Sequence, residues 1–104
     1  MPTIPVALQT YTVRDVLADD FAGTIRQIAR MGYRGIEIGA NLGGMSPEEF
    51  RSFVDDLGLA LTGNHVGIDA LESHLDQVID DNLALGNQWV VCPWMPEDLS
   101  LIHI

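Results

Sequence analysis

Four short apolar segments recur along the chain at intervals that fit one strand, one loop and one helix. They are PVALQ (5–9), RGIEI (34–38), LALTGNH (59–65) and QWVVC (88–92), and their starts lie 29, 25 and 29 residues apart. Each is bounded by Gly, Pro or polar residues, and most carry β-branched side chains, as strands do. The segments between them are helical in period. In DDFAGTIRQIARMG the stripe is Phe21, Ile25, Ile28 and Ala29; in SPEEFRSFVDDLG it is Phe50, Phe53, Val54 and Leu57. In IDALESHLDQVIDDNLALG a single helix is expected, with Ile68, Leu71, Leu75, Val78, Ile79 and Leu83 on one face. Ser46, Pro47 and Glu49 form an N-terminal capping box, and Gly32, Gly58 and Gly86 are placed to close the three helices. QTYTVRD, after the first strand, reads as a loop.

The order β-α-β-α-β-α-β requires a parallel sheet with right-handed crossovers. An open doubly wound sheet and an eight-fold β/α barrel both satisfy it. A barrel uses about 250 residues, roughly 31 per unit, so 104 residues amount to three units and a fourth strand. An open sheet of four strands would be small, and its last strand would lack a covering helix. The expected fold is therefore α/β, the N-terminal part (about three and a half β/α units) of a TIM (β/α)8 barrel.

Charge removes several function classes. Fifteen acids oppose five bases, all of them arginine, for a net charge of −10. Nucleic acid and anionic membrane carry the same sign, so neither is an expected partner. Cys92, the sole cysteine, excludes an internal disulfide and is read as a small buried apolar residue. With no basic region ahead of an apolar run at the N-terminus, and no membrane-length apolar stretch, a soluble cytoplasmic protein is expected. GANLGG (39–44) lacks dinucleotide-binding spacing, no phosphate-loop motif occurs, and Gln9 and His65 stand where a receiver domain would carry acids.

In either architecture chemistry gathers at the C-terminal ends of the strands. Gln9 and Tyr11 follow the first strand and can line a polar pocket; the alternative is a packed loop in which Arg14 and Asp15 are solvated. Glu37 lies between Ile36 and Ile38, so it points away from the helices. A carboxylate there needs a substrate hydroxyl, a cation, or a structural partner such as Arg14 or Arg34. His65 closes the third strand and suits hydrogen bonding to hydroxyls, proton transfer or metal ligation; no second ligand stands at metal-binding spacing. His74 is read as helix surface. Trp94 can wall a sugar face or pack as a loop aromatic.

The runs LQTYTVRD, ARMGYRGIEI, GNHVG and LGNQWVVCP, spanning Val6 to about Pro96, resemble the N-terminal part of the sugar phosphate isomerase/epimerase family. These are xylose isomerase-like barrels related to the endonuclease IV superfamily. The resemblance implies a parent enzyme in which a divalent metal (Mn, Mg, Co or Zn) is held by two Glu, an Asp and a His from the second half of the barrel. Metal and carboxylates together move a proton between adjacent carbons of a ketose or aldose. It implies a substrate-binding role for Gln9, Tyr11, Glu37, His65 and Trp94, with the catalytic acids and metal ligands beyond residue 98. It also implies a small-molecule sugar or sugar phosphate as partner, and it is compatible with a homo-oligomeric parent. The endonuclease branch uses a His near the third strand as a zinc ligand, which keeps that role open for His65, although an acidic chain without lysine is a poor match for DNA. Two rivals remain: a DNA-repair hydrolase fragment and a small non-catalytic α/β binding module.

The last six residues, LSLIHI, are what CTG TCT CTT ATA CAC ATC encodes, a string resembling the transposon-end adapter of sequencing libraries. Residues 1–98 are accordingly expected to be partial barrel and 99–104 an adapter-derived, non-native tail. A fragment ending there is expected to be inactive alone and to expose the edges of its first and fourth strands.

Overall fold

A computed structural model describes residues 4–96. The expected boundary after Asp98 and the tail 99–104 lie outside them. Four parallel strands form one sheet in chain order: β1 (Ala7–Gln9), β2 (Gly35–Ile38), β3 (Ala60–His65) and β4 (Val90–Val91). All four fall within the expected segments and are shorter than expected. At β1, Pro5 has no N–H to give to a ladder.

Helices cover one face. After β1 the chain makes a 3-10 turn (Thr10–Val13) and a short helix α1 (Arg14–Asp19), where a loop is expected from sequence. Leu17 explains the difference, because it drops into the core and anchors that turn of helix. Helix α2 (Phe21–Arg30) starts at Asp20, whose side chain accepts from the Gly23 N–H at 3.0 Å. It buries Ile25 and Ile28. Helix α3 (Pro47–Asp56) carries the capping box: Ser46 Oγ accepts from Glu49 N at 3.1 Å, and Ser46 N donates to the Glu49 carboxylate at 3.2 Å. Its stripe buries Phe50 and Val54. Gly32, Gly58 and Gly86 have φ of 99°, 74° and 71°, the left-handed geometry a helix end requires.

The segment after β3 corrects the sequence reading. It is not one helix but two, α4 (Ile68–Ser73) and α5 (Leu75–Leu85), broken at His74 with φ −136° and ψ 37°. The buried face also differs. Leu75, Ile79 and Leu83 stand in solvent, Leu83 being 70% exposed, while Asn82 and Leu85 are buried. A polar contact fixes that rotation: Asn64 Nδ2 on β3 donates to Asn82 Oδ1 at 3.0 Å, and Asn87 Nδ2 donates to the same oxygen at 2.8 Å. Periodicity counts apolar residues and cannot see a buried amide pair.

The core lies between the sheet and α2, α3 and α5, centred on Ile25, Ile28, Ile36, Phe50 and Val54, all essentially inaccessible to solvent. Leu8, Ile36, Ile38, Leu59 and Leu61 face it from the sheet side. No helix of the described residues is long and apolar enough to cross a membrane.

Candidate functional site

Three strand ends meet on the face away from the helices. Gln9 ends β1 and pairs in register with Glu37 of β2; Glu37 pairs in turn with Gly63 of β3, two residues before His65. Alternation alone would send His65 the wrong way, because Leu59 and Leu61 face the core and period two carries 63 and 65 to the same side. A bulge reverses it. Ile36 is opposite Leu61 but Glu37 is opposite Gly63, so Thr62 is an extra residue, and its hydroxyl donates to the Ile36 carbonyl at 3.2 Å. Past the bulge Asn64 faces the helices and His65 faces the pocket. Re-aiming a side chain is a common use of a bulge beside a site.

Gly63 matters for space. A Cβ there would lie 3.2 Å from Glu37 Oε2 and 3.4 Å from Glu37 Cγ. Lacking one, Gly63 lets the Glu37 side chain lie across β3, and its Oε1 sits 2.5 Å from His65 Nε2. Gln9 Nε2 donates to the same oxygen at 3.2 Å. Gln9 Nε2 is also 3.2 Å from His65 Nε2. A carboxylate only accepts, so His65 Nε2–H donates to it; one Gln9 Nε2 proton then goes to Oε1, and the amide nitrogen also lies 3.4 Å from His65 Nδ1, the ring's acceptor. Below them, Thr10 Oγ1 donates to the Glu37 carbonyl at 3.2 Å, tying β1 to β2. The side chains are partly open to solvent, 32% for Glu37 and 21% for His65. Glu37 Oε2 and the Gln9 carbonyl oxygen therefore remain able to accept hydrogen bonds from a ligand, while His65 Nδ1 already faces the Gln9 amide.

These groups line a concave pocket of about 290 Å³, together with Thr10, Tyr11, Arg14, Leu17, residues 38–41 and Pro93. The structure thus brings Gln9, Tyr11, Glu37 and His65 to one cavity. Trp94 is elsewhere: it is 71% exposed and does not line the pocket, where the β4 end contributes Pro93. Cys92 is half-buried rather than buried, with its Sγ 3.4 Å from the Trp94 carbonyl oxygen. Neither Arg14 nor Arg34 pairs with Glu37; the imidazole takes that place. Arg14 is exposed, as the loop alternative had it, and it also lines the pocket, a place that sequence reasoning did not give it. The signal was Tyr11 and Arg14 at i and i+3, which share a face only once the segment is known to be helical. No group of three or more His, Cys, Asp or Glu able to hold a metal occurs among the described residues.

Known structures share this architecture. A sugar phosphate isomerase/epimerase from Parabacteroides distasonis ATCC 8503 superposes with a TM-score of 0.71 at 20% identity, over 93% of this chain and 41% of that one. A xylose isomerase-like TIM barrel/4-hydroxyphenylpyruvate dioxygenase fusion protein superposes with a TM-score of 0.67 at 22% identity, over 98% of this chain and 19% of that one. The fold is that of part of a TIM barrel. Gln9, Glu37 and His65 stand at the C-terminal ends of the strands of that fold. The chain spans less than half the length of either structure. No protein-family profile matches it, and no curated protein is detectably similar in sequence.

Proposed function

We propose that this chain is the N-terminal part of a metal-dependent sugar or sugar phosphate isomerase or epimerase, and that it supplies the wall of the active site that binds the substrate's hydroxyl groups. The observation that carries this is the Gln9–Glu37–His65 cluster at the C-terminal ends of three adjacent strands. A carboxylate oxygen and an amide oxygen, left open on one concave surface and held by the imidazole beside them, match the vicinal hydroxyls of a polyol. Each hydrogen bond from a hydroxyl to the charged Glu37 contributes about 1.5–3 kcal/mol, because one partner is ionised.

The described residues do not form a metal centre by themselves. No step is therefore assigned to a metal held here. In the parent enzyme the ion (Mn, Mg, Co or Zn) and the carboxylates that move the proton come from later strands. This chain's residues orient the sugar: Glu37 and Gln9 fix hydroxyl positions, and His65, whose Nε2–H donates to Glu37, holds that carboxylate in place. Alone, the chain binds without turning over. A DNA substrate is disfavoured by the charge of −10 and the lack of lysine.

The test is an NMR titration of the isotope-labelled chain with D-ribulose. The expected result is saturable shifts confined to Gln9, Glu37, His65 and their neighbours, with Glu37→Gln weakening binding by about tenfold or more. Shifts that avoid these residues, or that survive Glu37→Gln unchanged, contradict the proposal.

A further inference from the structure

Arg14 has no task in binding hydroxyl groups, yet it lines the same pocket. Its guanidinium lies over the Tyr11 ring, 4.2 Å from the centroid, and Nη1 donates to the Tyr11 carbonyl at 3.0 Å. The stack fixes the plane of the fork and the hydrogen bond fixes its rotation, while most of its five N–H donors stay uncommitted. Among the described residues no carboxylate lies within ion-pair distance of it; Glu37, the acid lining the same cavity, is taken by His65. Arg14 is itself exposed, at the rim of the cavity, but the stack and the carbonyl hydrogen bond restrict its rotamers there; among the described residues it is the one arginine that lines the cavity.

The cavity is therefore polar in two different ways. Gln9 and Glu37, the latter held by His65, present acceptors that suit neutral hydroxyls and repel anions. Arg14 presents a planar pair of donors that fits two oxygens of a phosphate or carboxylate. A chain of net charge −10 repels anions at long range, so an anionic ligand needs such a local cation to be held at all.

We infer that Arg14, seated on Tyr11, reads an anionic substituent, a phosphate or a carboxylate, on the polyol whose hydroxyls Gln9 and Glu37 hold. This rests on the polyol-binding function proposed above. It makes Arg14 a specificity residue and Tyr11 its positioning partner.

The test titrates the labelled chain with four probes: D-ribulose, D-ribulose 5-phosphate, D-ribonate and inorganic phosphate. One of the two anionic sugars is expected to bind about tenfold or more tighter than D-ribulose, and which one it is separates phosphate from carboxylate. Inorganic phosphate should shift the Arg14 side-chain signal and compete with the preferred anionic sugar. In Arg14→Gln the ratio of anionic to neutral affinity should fall to about one. Arg14→Lys should keep only part of it, because a point charge lacks the fork. Tyr11→Phe should keep the ratio and Tyr11→Leu should lower it severalfold. Equal affinities for D-ribulose and both anionic sugars, or a ratio that survives Arg14→Gln, overturn the inference and leave the polyol site standing. A ratio unchanged in Tyr11→Leu removes Tyr11 from it. If no sugar shifts Gln9, Glu37 or His65, the polyol site itself is wrong and the inference falls with it.

Discussion

Replacing Phe50 with alanine will leave the chain without a cooperative fold. Phe50 is fully buried at the centre of the core, where α3 faces the sheet, and its ring meets that of Phe21 with centroids 6.0 Å apart and planes at 57°. Truncating such a side chain costs about 3–5 kcal/mol, from lost transfer energy and the cavity left behind. A domain of this size has roughly 5–15 kcal/mol in total. This one sits at the low end, because β1 and β4 each have one side unpaired within the described sheet, and Trp89, Val90 and Val91 stand exposed at the β4 side. The expected urea transition is broad and shifted to very low denaturant, with loss of dispersed methyl signals. A sharp transition displaced by less than about 1 kcal/mol would mean that Phe50 is not the centre of the core.

The second large effect is at Gly63. Its hypothetical Cβ already crowds Glu37, with 3.2 Å to Oε2, and a valine adds two methyl groups beyond it. Gly63→Val must push the Glu37 carboxylate out of line with His65 or flatten the bulge that turns His65 to the pocket. Either way the Gln9–Glu37–His65 contacts are lost. Overpacking of this kind costs about 1–3 kcal/mol, so the chain should still fold while sugar binding falls by at least about tenfold. The diagnostic is the pairing of the two outcomes: a folded spectrum with the His65 ring signals moved and the titration lost. Full affinity in Gly63→Val would show that neither the bulge nor the bare glycine positions the site.

The fold was legible where chemistry repeats. Strand, helix and glycine recur at a barrel's spacing, and the capping box at Ser46 and Glu49 reads directly from four residues. The helix break at His74 and the buried Asn64–Asn82 pair were not legible. The amide pair depends on one side chain finding a specific partner 18 residues away, and the break at His74 is a backbone departure with no side-chain cap; an apolar pattern encodes neither. QTYTVRD was read as a loop, whereas residues 10–15 belong to a 3-10 turn and the start of α1, a helix anchored by a single buried leucine. At the site, Gln9 and Glu37 follow from alternation. His65 faces the pocket only because of the bulge at Thr62 and Gly63, and the hint was a glycine inside a strand. Trp94, expected beside a sugar, points to solvent, since the two-residue β4 ends before it and nothing turns the loop inward.

The central proposal is that this chain is the N-terminal part of a barrel enzyme whose metal ligands and catalytic acids would stand on later strands. The most direct measurement is to read the source DNA past the codon for Asp98. The account predicts that the sequence encoding LSLIHI is absent there, and that an open frame of roughly 150 or more residues follows, four further β/α units carrying Glu, Asp, His and Glu at successive strand ends. A genomic frame that encodes LSLIHI and stops would contradict it, and would make the Gln9–Glu37–His65 pocket the site of a small binding protein.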